Sequence, residues 1–320
     1  MRTTTLSKNN IYSLVVLVIA FVVLSLVPTM TEGYALTLLT DILRFAILTV
    51  GWMLFSGPTG YMSLATAAFY GIGFYVAALL NGPVPFGVAI IIAGAASFVV
   101  AMLVGALTLR LRGVYFAIFT FALTLLVSQV VLEVERIVTQ TRGRFVETET
   151  VEAAYYAMFL VFVLTLVIAI ALRRSRYGLA LQSIGEYEEA AAHSGINITR
   201  TKVLVFAASA ITMGMAGAII ATRRTYIDPG IAFNLNTSFL PVLMALFGGM
   251  GNLVGPIIGA AVFTLIGDEL LTTFPDLYML LFGLVLILAI LFMPNGIVGL
   301  AKTVWEKVRE TTGGGRRAPA

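Results

Sequence analysis

Apolar runs close to twenty residues long recur along this chain from Ile11 to near residue 293, and that repetition decides the fold class. About 20 apolar residues in a helix cover a hydrocarbon core roughly 30 Å thick. Lipid offers the backbone no hydrogen-bond partners, so only helices and closed barrels can cross. The sequence lacks the alternating ten-residue segments of a membrane barrel. An all-α polytopic membrane protein is therefore expected. Composition agrees, because 59% of the 320 residues are hydrophobic and only 11% charged, too few charges to cover a soluble protein of this length.

Ten spans fit the hydropathy, near 11–27, 36–56, 62–80, 84–109, 114–132, 153–172, 202–221, 237–253, 256–271 and 277–293. They make one transmembrane domain over 1–300, followed by a partly disordered tail at 301–320. The first run follows Arg2 and Lys8 like a signal peptide, but Pro28-Thr29-Met30-Thr31-Glu32 follows it in place of a small-residue cleavage site, so it reads as a retained span. With both termini cytoplasmic, Arg110, Arg112, Arg173, Arg174, Arg176, Lys302, Lys307, Arg309, Arg316 and Arg317 fall inside, as basic loops should. Arg223 and Arg224 fall outside and run against the rule. The net charge of +4 sits in loops and tails rather than on a soluble face, which argues against a nucleic-acid partner. There are no cysteines, hence no disulfides and no thiol-based metal or redox site.

Three spans look interrupted. Gly57, Pro58, Gly60, Gly71 and Gly73 break the third, and Gly248, Gly249, Gly251, Gly255, Pro256 and Gly259 lie between the eighth and ninth, which could form one re-entrant unit. Broken helices at membrane depth must be buried in protein or line a watery cavity. Close packing through small residues is the competing explanation. Asp41 and Arg44, at i and i+3 in the second span, read as an outer-leaflet packing pair rather than a solute contact. Asp268 and Glu269 read as wetted. Ser63, Thr66 and Thr120 suit solute binding and interhelical bonding equally.

Two stretches are polar enough to fold outside lipid: 133–152, expected periplasmic, and 173–200, expected cytoplasmic. In the second, Ser183-Ile184-Gly185-Glu186 has capping-box spacing. Glu188 and Glu189 suit the early turns of a helix, His193 its last turn and Gly195 its close. The result is a helix of about 11 residues, roughly 16 Å long, with an acidic face suited to a protein partner. His193, the single histidine, is expected at that surface rather than in a proton relay.

These residues carry a resemblance. Glu189-Ala190-Ala191-Ala192-His193-Ser194-Gly195 resembles the coupling-helix element of ABC importer permeases, and Arg173-Arg174-Ser175-Arg176-Tyr177-Gly178 resembles the run that follows the sixth span in the branched-chain amino acid (LIV-type) permeases. The Gly-rich stretch from Gly57 to Gly73, the connection Leu109-Arg110-Leu111-Arg112-Gly113-Val114-Tyr115, the run from Gly248 to Pro256 and Pro294-Asn295-Gly296-Ile297-Val298-Gly299-Leu300 resemble further elements of that family, in order, between about 40 and 300. The chain is most similar to its LivM-like subunit. The resemblance implies an ABC importer permease fold in a bacterial or archaeal inner membrane. It implies as partners a second homologous permease, two cytoplasmic ATPases and a periplasmic solute-binding protein. Ser183, Glu186, Glu188, Glu189, Ala190, Ala191 and Gly195 would form the coupling helix. Met53, Tyr61, Ser63, Thr66 and Tyr70 are candidate pathway residues.

The family often has Asn where this chain has Met53, Gln at Tyr61 and Gly-His at Ala65-Thr66. The pathway would then be less polar and more aromatic than usual, leaving the solute open among branched-chain amino acids, urea, short amides and aromatic acids. No Gly-rich phosphate loop ending in Gly-Lys-Ser/Thr is present in the sequence, so ATP and Mg would sit on the partner ATPases. No catalytic or metal-ligand constellation points to an enzyme. The alternative from another class is a stand-alone ion-coupled transporter, which would need an intramembrane acid near the midplane, and only Asp41 offers one.

Overall fold

The computed structural model describes residues 33–277, with Pro28 and positions 280–284, 287, 296, 297 and 299. The span expected at 11–27, most of the span expected at 277–293, most of the motif at 294–300 and the tail at 301–320 lie outside these residues.

The second expected span is helix α1 (Tyr34–Thr59), whose 26 residues reach about 39 Å, enough to cross a bilayer with a turn to spare. It runs through Gly57 and Pro58, because a proline in the last turn removes only one terminal hydrogen bond. It stops at Gly60, whose left-handed φ of 68° lets its N–H reach back to the Ser56 carbonyl. A non-helical stretch follows to Ala65, then α2 (Thr66–Leu80). At 15 residues and about 22 Å, α2 is too short to cross by itself. The chain continues as α3 (Phe86–Thr108), α4 (Val114–Val138), strand β1 (Arg144–Phe145), α5 (Val151–Arg174), α6 (Arg176–Glu186) and α7 (Glu188–His193). It then forms α8 (Ile198–Ala221), strand β2 (Tyr226–Ile227), α9 (Pro229–Ala232), α10 (Asn236–Gly248) and α11 (Val254–Thr273). Among the described residues, seven helices are long and apolar enough to span, counting Pro229–Gly248 as one. With α2 they match the second to ninth expected spans in order.

Helix α8 is the hub. It packs on α3, α2, α1 and α5 and is buried nearly all round, from Thr201 to Ala221. Such a helix can sit among so many neighbours only if backbones approach closely. A Cβ on Gly73 would collide with the Gly214 carbonyl, and one on Gly217 with that of Tyr70. The α10–α11 hairpin closes the same way, with Gly248 on the Gly255 backbone and Gly259 on the Met244 carbonyl. This corrects the expected break in the third span: Gly71 and Gly73 lie inside an intact helix as contact points, and the interruption is confined to Gly60–Ala65. Helix α4, by contrast, exposes Ile118, Leu126, Val130 and Ile137 along its length, as a lipid-facing helix should.

Polar segments collect at two ends. At one, β1 pairs antiparallel with β2, Arg144 opposite Ile227 and Phe145 opposite Tyr226. There buried Glu135 holds Arg144 at 3.1 Å, and Asn81 bonds Glu147 through both backbone groups. The first half of the loop expected at 133–152 is thus the last turn and a half of α4 and a strand. The other end carries α6, α7 and the α3–α4 connection.

Candidate functional site

The interruption at Gly60–Ala65 leaves backbone groups without helical partners, and three helices supply them. The Trp52 indole of α1 donates to the Ser63 carbonyl at 2.7 Å. Thr120 of α4 accepts from the Leu64 N–H at 2.9 Å. The Leu64 carbonyl accepts from Thr124 at 3.2 Å and from Ser238 of α10 at 2.7 Å, and Ser238 accepts in turn from the Ala67 N–H at 3.1 Å. Tyr61, Ser63 and Ala65 are buried, whereas Gly60 and Met62 are exposed, so the break turns most of its backbone toward protein partners. Of these partners only Thr120 stood out in the sequence.

Directly beyond it lie α6 and α7. Ser175 caps α6, accepting from the Tyr177 and Gly178 N–H groups. The expected capping box does not form. Ser183 lies inside α6, its hydroxyl bonded to the Leu179 carbonyl at 3.2 Å, and Glu186 is the last residue of that helix. Ser175 wins because the chain has just left α5 in an extended conformation there, whereas at Ser183 the helix is already running. Tyr187 is extended, and α7 then ends as expected: Gly195 takes φ 84°, the Gly195 N–H reaches the Ala192 carbonyl and the Ile196 N–H that of Ala191, a Schellman close. Leu181, Ile184 and Ala191 point into the bundle, while Ser183, Glu186, Tyr187, Glu189, Ala190 and His193 are exposed. The expected single helix is thus two short ones, and its outward acidic face remains.

Glu188 is not part of that face. Its carboxylate accepts from Lys202 Nζ at 2.8 Å and from the Tyr61 hydroxyl at 2.9 Å. Lys202 also bonds the Tyr61 oxygen at 2.8 Å and lies 4.0 Å from the Tyr61 ring centroid. Arg112, mostly exposed, stands 3.8 Å from the same carboxylate. Lys202 is fully buried. Burial works against the charged carboxylate, but the Lys202 and Tyr61 hydrogen bonds and the two cations outweigh it and hold Glu188 below its ordinary pKa. The joint ties α7 to the α1–α2 interruption and to the start of α8. Lys202 escaped the sequence reading because a lysine on the first residue of an apolar run looks like a solvated flank.

Of the five candidate pathway residues, four line three different cavities. Met53 lines a cavity of about 210 Å³ with Gly57, Arg173, Gln182 and Met250. Ser63 and Thr66 border a void of about 10 Å³ beside Trp52 and Phe206, room for one water at most. Tyr61 belongs to the joint. Tyr70 lines a cavity of about 250 Å³ toward the β end, where Arg44 pairs with Asp41 at 3.1 Å.

Comparison with known proteins bears on these features together. The model of the branched-chain amino acid transport system / permease component family matches residues 34–290. The high-affinity branched-chain amino acid transport system permease protein LivM of Salmonella typhimurium is 26% identical over 329 aligned positions, covering 92% of this chain and 76% of its own. The same protein of Escherichia coli K12 matches to the same extent. The ribose import permease protein RbsC of Bacillus subtilis is 32% identical over 140 positions, 42% of each chain. No solved structure matches the chain. A membrane bundle of this helix order, matched from its first described helix to residue 290, belongs to the branched-chain amino acid transport system permease component family.

Proposed function

We propose that this chain is one membrane-spanning half of an ATP-driven importer for a small solute of the amino-acid class, and that α6 and α7 receive the ATPase. The family supplies the first part: its members are permease components of transport systems rather than enzymes, and membership sets aside the stand-alone ion-coupled reading. The observation that carries the second is the α6–α7 pair, which exposes Glu186, Tyr187, Glu189 and His193 while its inner side is bound into the bundle through Glu188 and Ile184. The assembly would contain a second homologous permease, two ATPases carrying ATP and Mg, and a solute-binding protein. ATP-bound and ATP-free ATPases would hold α7 in different positions, the differential contact that any driven change requires. The α6–α7 end would then be cytoplasmic and the β end periplasmic.

Glu189→Lys and Gly195→Leu test the contact in the transporter reconstituted with its ATPases and binding protein. Gly195→Leu puts a side chain at positive φ, costing about 1–2 kcal/mol locally, without touching the spans. Both variants should remain in the membrane fraction and lose solute-stimulated ATP hydrolysis and uptake together. Retention of full stimulated hydrolysis by both would remove α7 from the contact.

A further inference from the structure

The cavity beside Tyr70 has a character that its neighbours lack. Its polar wall is built from Arg44, Arg224, Tyr70, Asn234, Asn236 and Thr237, two cations and four neutral groups that can each donate a hydrogen bond. Among the described residues no carboxylate lines it. Arg224, Asn234 and Asn236 are exposed and form its mouth, whereas Tyr70 at 3% and Phe74 at 1% exposure form its floor. Phe74 and Ile220 give that floor an apolar side. The cavity holds about 250 Å³, below the usual range for drug-sized ligands and suited to a smaller one.

Arg44 is the decisive residue. It lies in a membrane-spanning helix, where a cation is retained only if it is paired or functional. Asp41 engages one terminal nitrogen at 3.1 Å, and the Phe45 ring lies under the guanidinium at 4.4 Å. Arg44 Nε is buried and has no hydrogen-bond partner among the described residues. A buried donor without a partner is expensive, and the planar edge of a guanidinium matches a carboxylate. The same side chain also walls a second cavity, of about 210 Å³, which contains Asp41 and Asp268. One cation thus separates a space that contains carboxylates from one lined by none.

We infer that the cavity between Arg44 and Arg224 is a carboxylate subsite for a small solute with an apolar body, the head received by Arg44 and Tyr70 and the body by Phe74 and Ile220. Arg44 is already paired with Asp41 and bonded to Tyr70, so what a carboxylate adds is a partner for Arg44 Nε and an anion beside Arg224, which neutral solutes such as sugars, urea or simple amides do not bring. The inference rests on the permease reading for why a solute arrives there, but its test does not need transport.

The chain has no cysteine, so single cysteines report cleanly. Asn236→Cys and Thr237→Cys, each in the purified full chain in detergent, would be labelled with methanethiosulfonates of similar size bearing a sulfonate or a trimethylammonium group. With each rate divided by that reagent's rate on a free small thiol, the anionic reagent should react about tenfold faster, the effect of a nearby cation at protein-surface dielectric. Arg44→Gln should bring the two rates toward parity and Arg44→Lys should keep them apart, which separates lost charge from lost fold. Isovalerate should slow the labelling and isovaleramide should not. Equal rates, a cationic preference, a preference untouched by Arg44→Gln, or equal protection (or none) by acid and amide would each overturn the subsite. Failure of the permease reading would show instead as absent ATP-dependent uptake with the labelling pattern intact.

Discussion

Replacing Glu188 by Gln should be more damaging than removing its ion pair outright. The single change leaves the Lys202 ammonium, fully buried, without a counter-charge, which costs about 3–5 kcal/mol. Adding Lys202→Met should recover much of that loss, and thermal unfolding of the three variants measures it. Tyr61→Phe should cost about 1–2 kcal/mol, since it removes a donor to the carboxylate and an acceptor for the lysine. The pH dependence has a defined sign. Glu188 is held below its ordinary 4.5, so its contribution is complete above that value and disappears as pH falls through the lower folded value. Glu188→Gln should flatten the decline of Tm on acidification. The sequence showed Tyr61 and Glu188 as residues of interest but assigned them to a pathway and a partner face. Nothing in local spacing joins positions 61, 188 and 202. That proximity exists only once α8 is placed.

At the scale of elements, eight spans were legible because each is an apolar run with polar ends, and the structure moves their boundaries by only a few residues, apart from two ends that shift by five or six. What was not legible is where a glycine breaks a helix and where it lets two helices touch. Gly60 and Gly73 look alike in sequence, yet one ends α1 at positive φ and the other meets the Gly214 carbonyl inside α2. The split of the helix expected near 184–194 was missed for a similar reason. Both Ser175 and Ser183 can cap, and only the end of α5 decides between them. Gly73→Val should therefore force α2 and α8 apart and lower Tm well beyond a surface change, by a cost on the order of 1–3 kcal/mol for overpacking. Gly60→Ala meets open space and should cost only the left-handed strain, about 1–2 kcal/mol. A Gly73→Val loss no larger than that of a surface substitution would contradict the close approach of α2 and α8.

For the whole molecule, the two sets of polar segments make sidedness testable. Cysteines introduced at Ser175 and Thr148 should label from opposite sides of sealed vesicles, because α6 begins at one end of the bundle and residue 148 follows the strand at the other. Labelling from one side would break the arrangement. The β end also carries Arg136, Arg142 and Arg144, more cations than the pair at Arg223 and Arg224. Two of the three are matched by acids, Arg136 by Glu133 at 3.0 Å and Arg144 by Glu135 at 3.1 Å. Charge counting along the sequence therefore understates that end, and the expected orientation rests on the larger cluster around α6.

The joint at Lys202 has a mechanical consequence. Apolar side chains slide past one another at little cost, so a helix seated only on Leu181, Ile184 and Ala191 would have high compliance. The Glu188–Lys202 contact at 2.8 Å is different, because pulling a carboxylate away from a buried ammonium meets a stronger restoring force than apolar contacts give. Displacement of α7 must therefore be carried into α8 and into the Tyr61 segment with little loss. A push delivered at the surface of this end would arrive at the span interruption nearly undiminished, as it would through a strut rather than a spring.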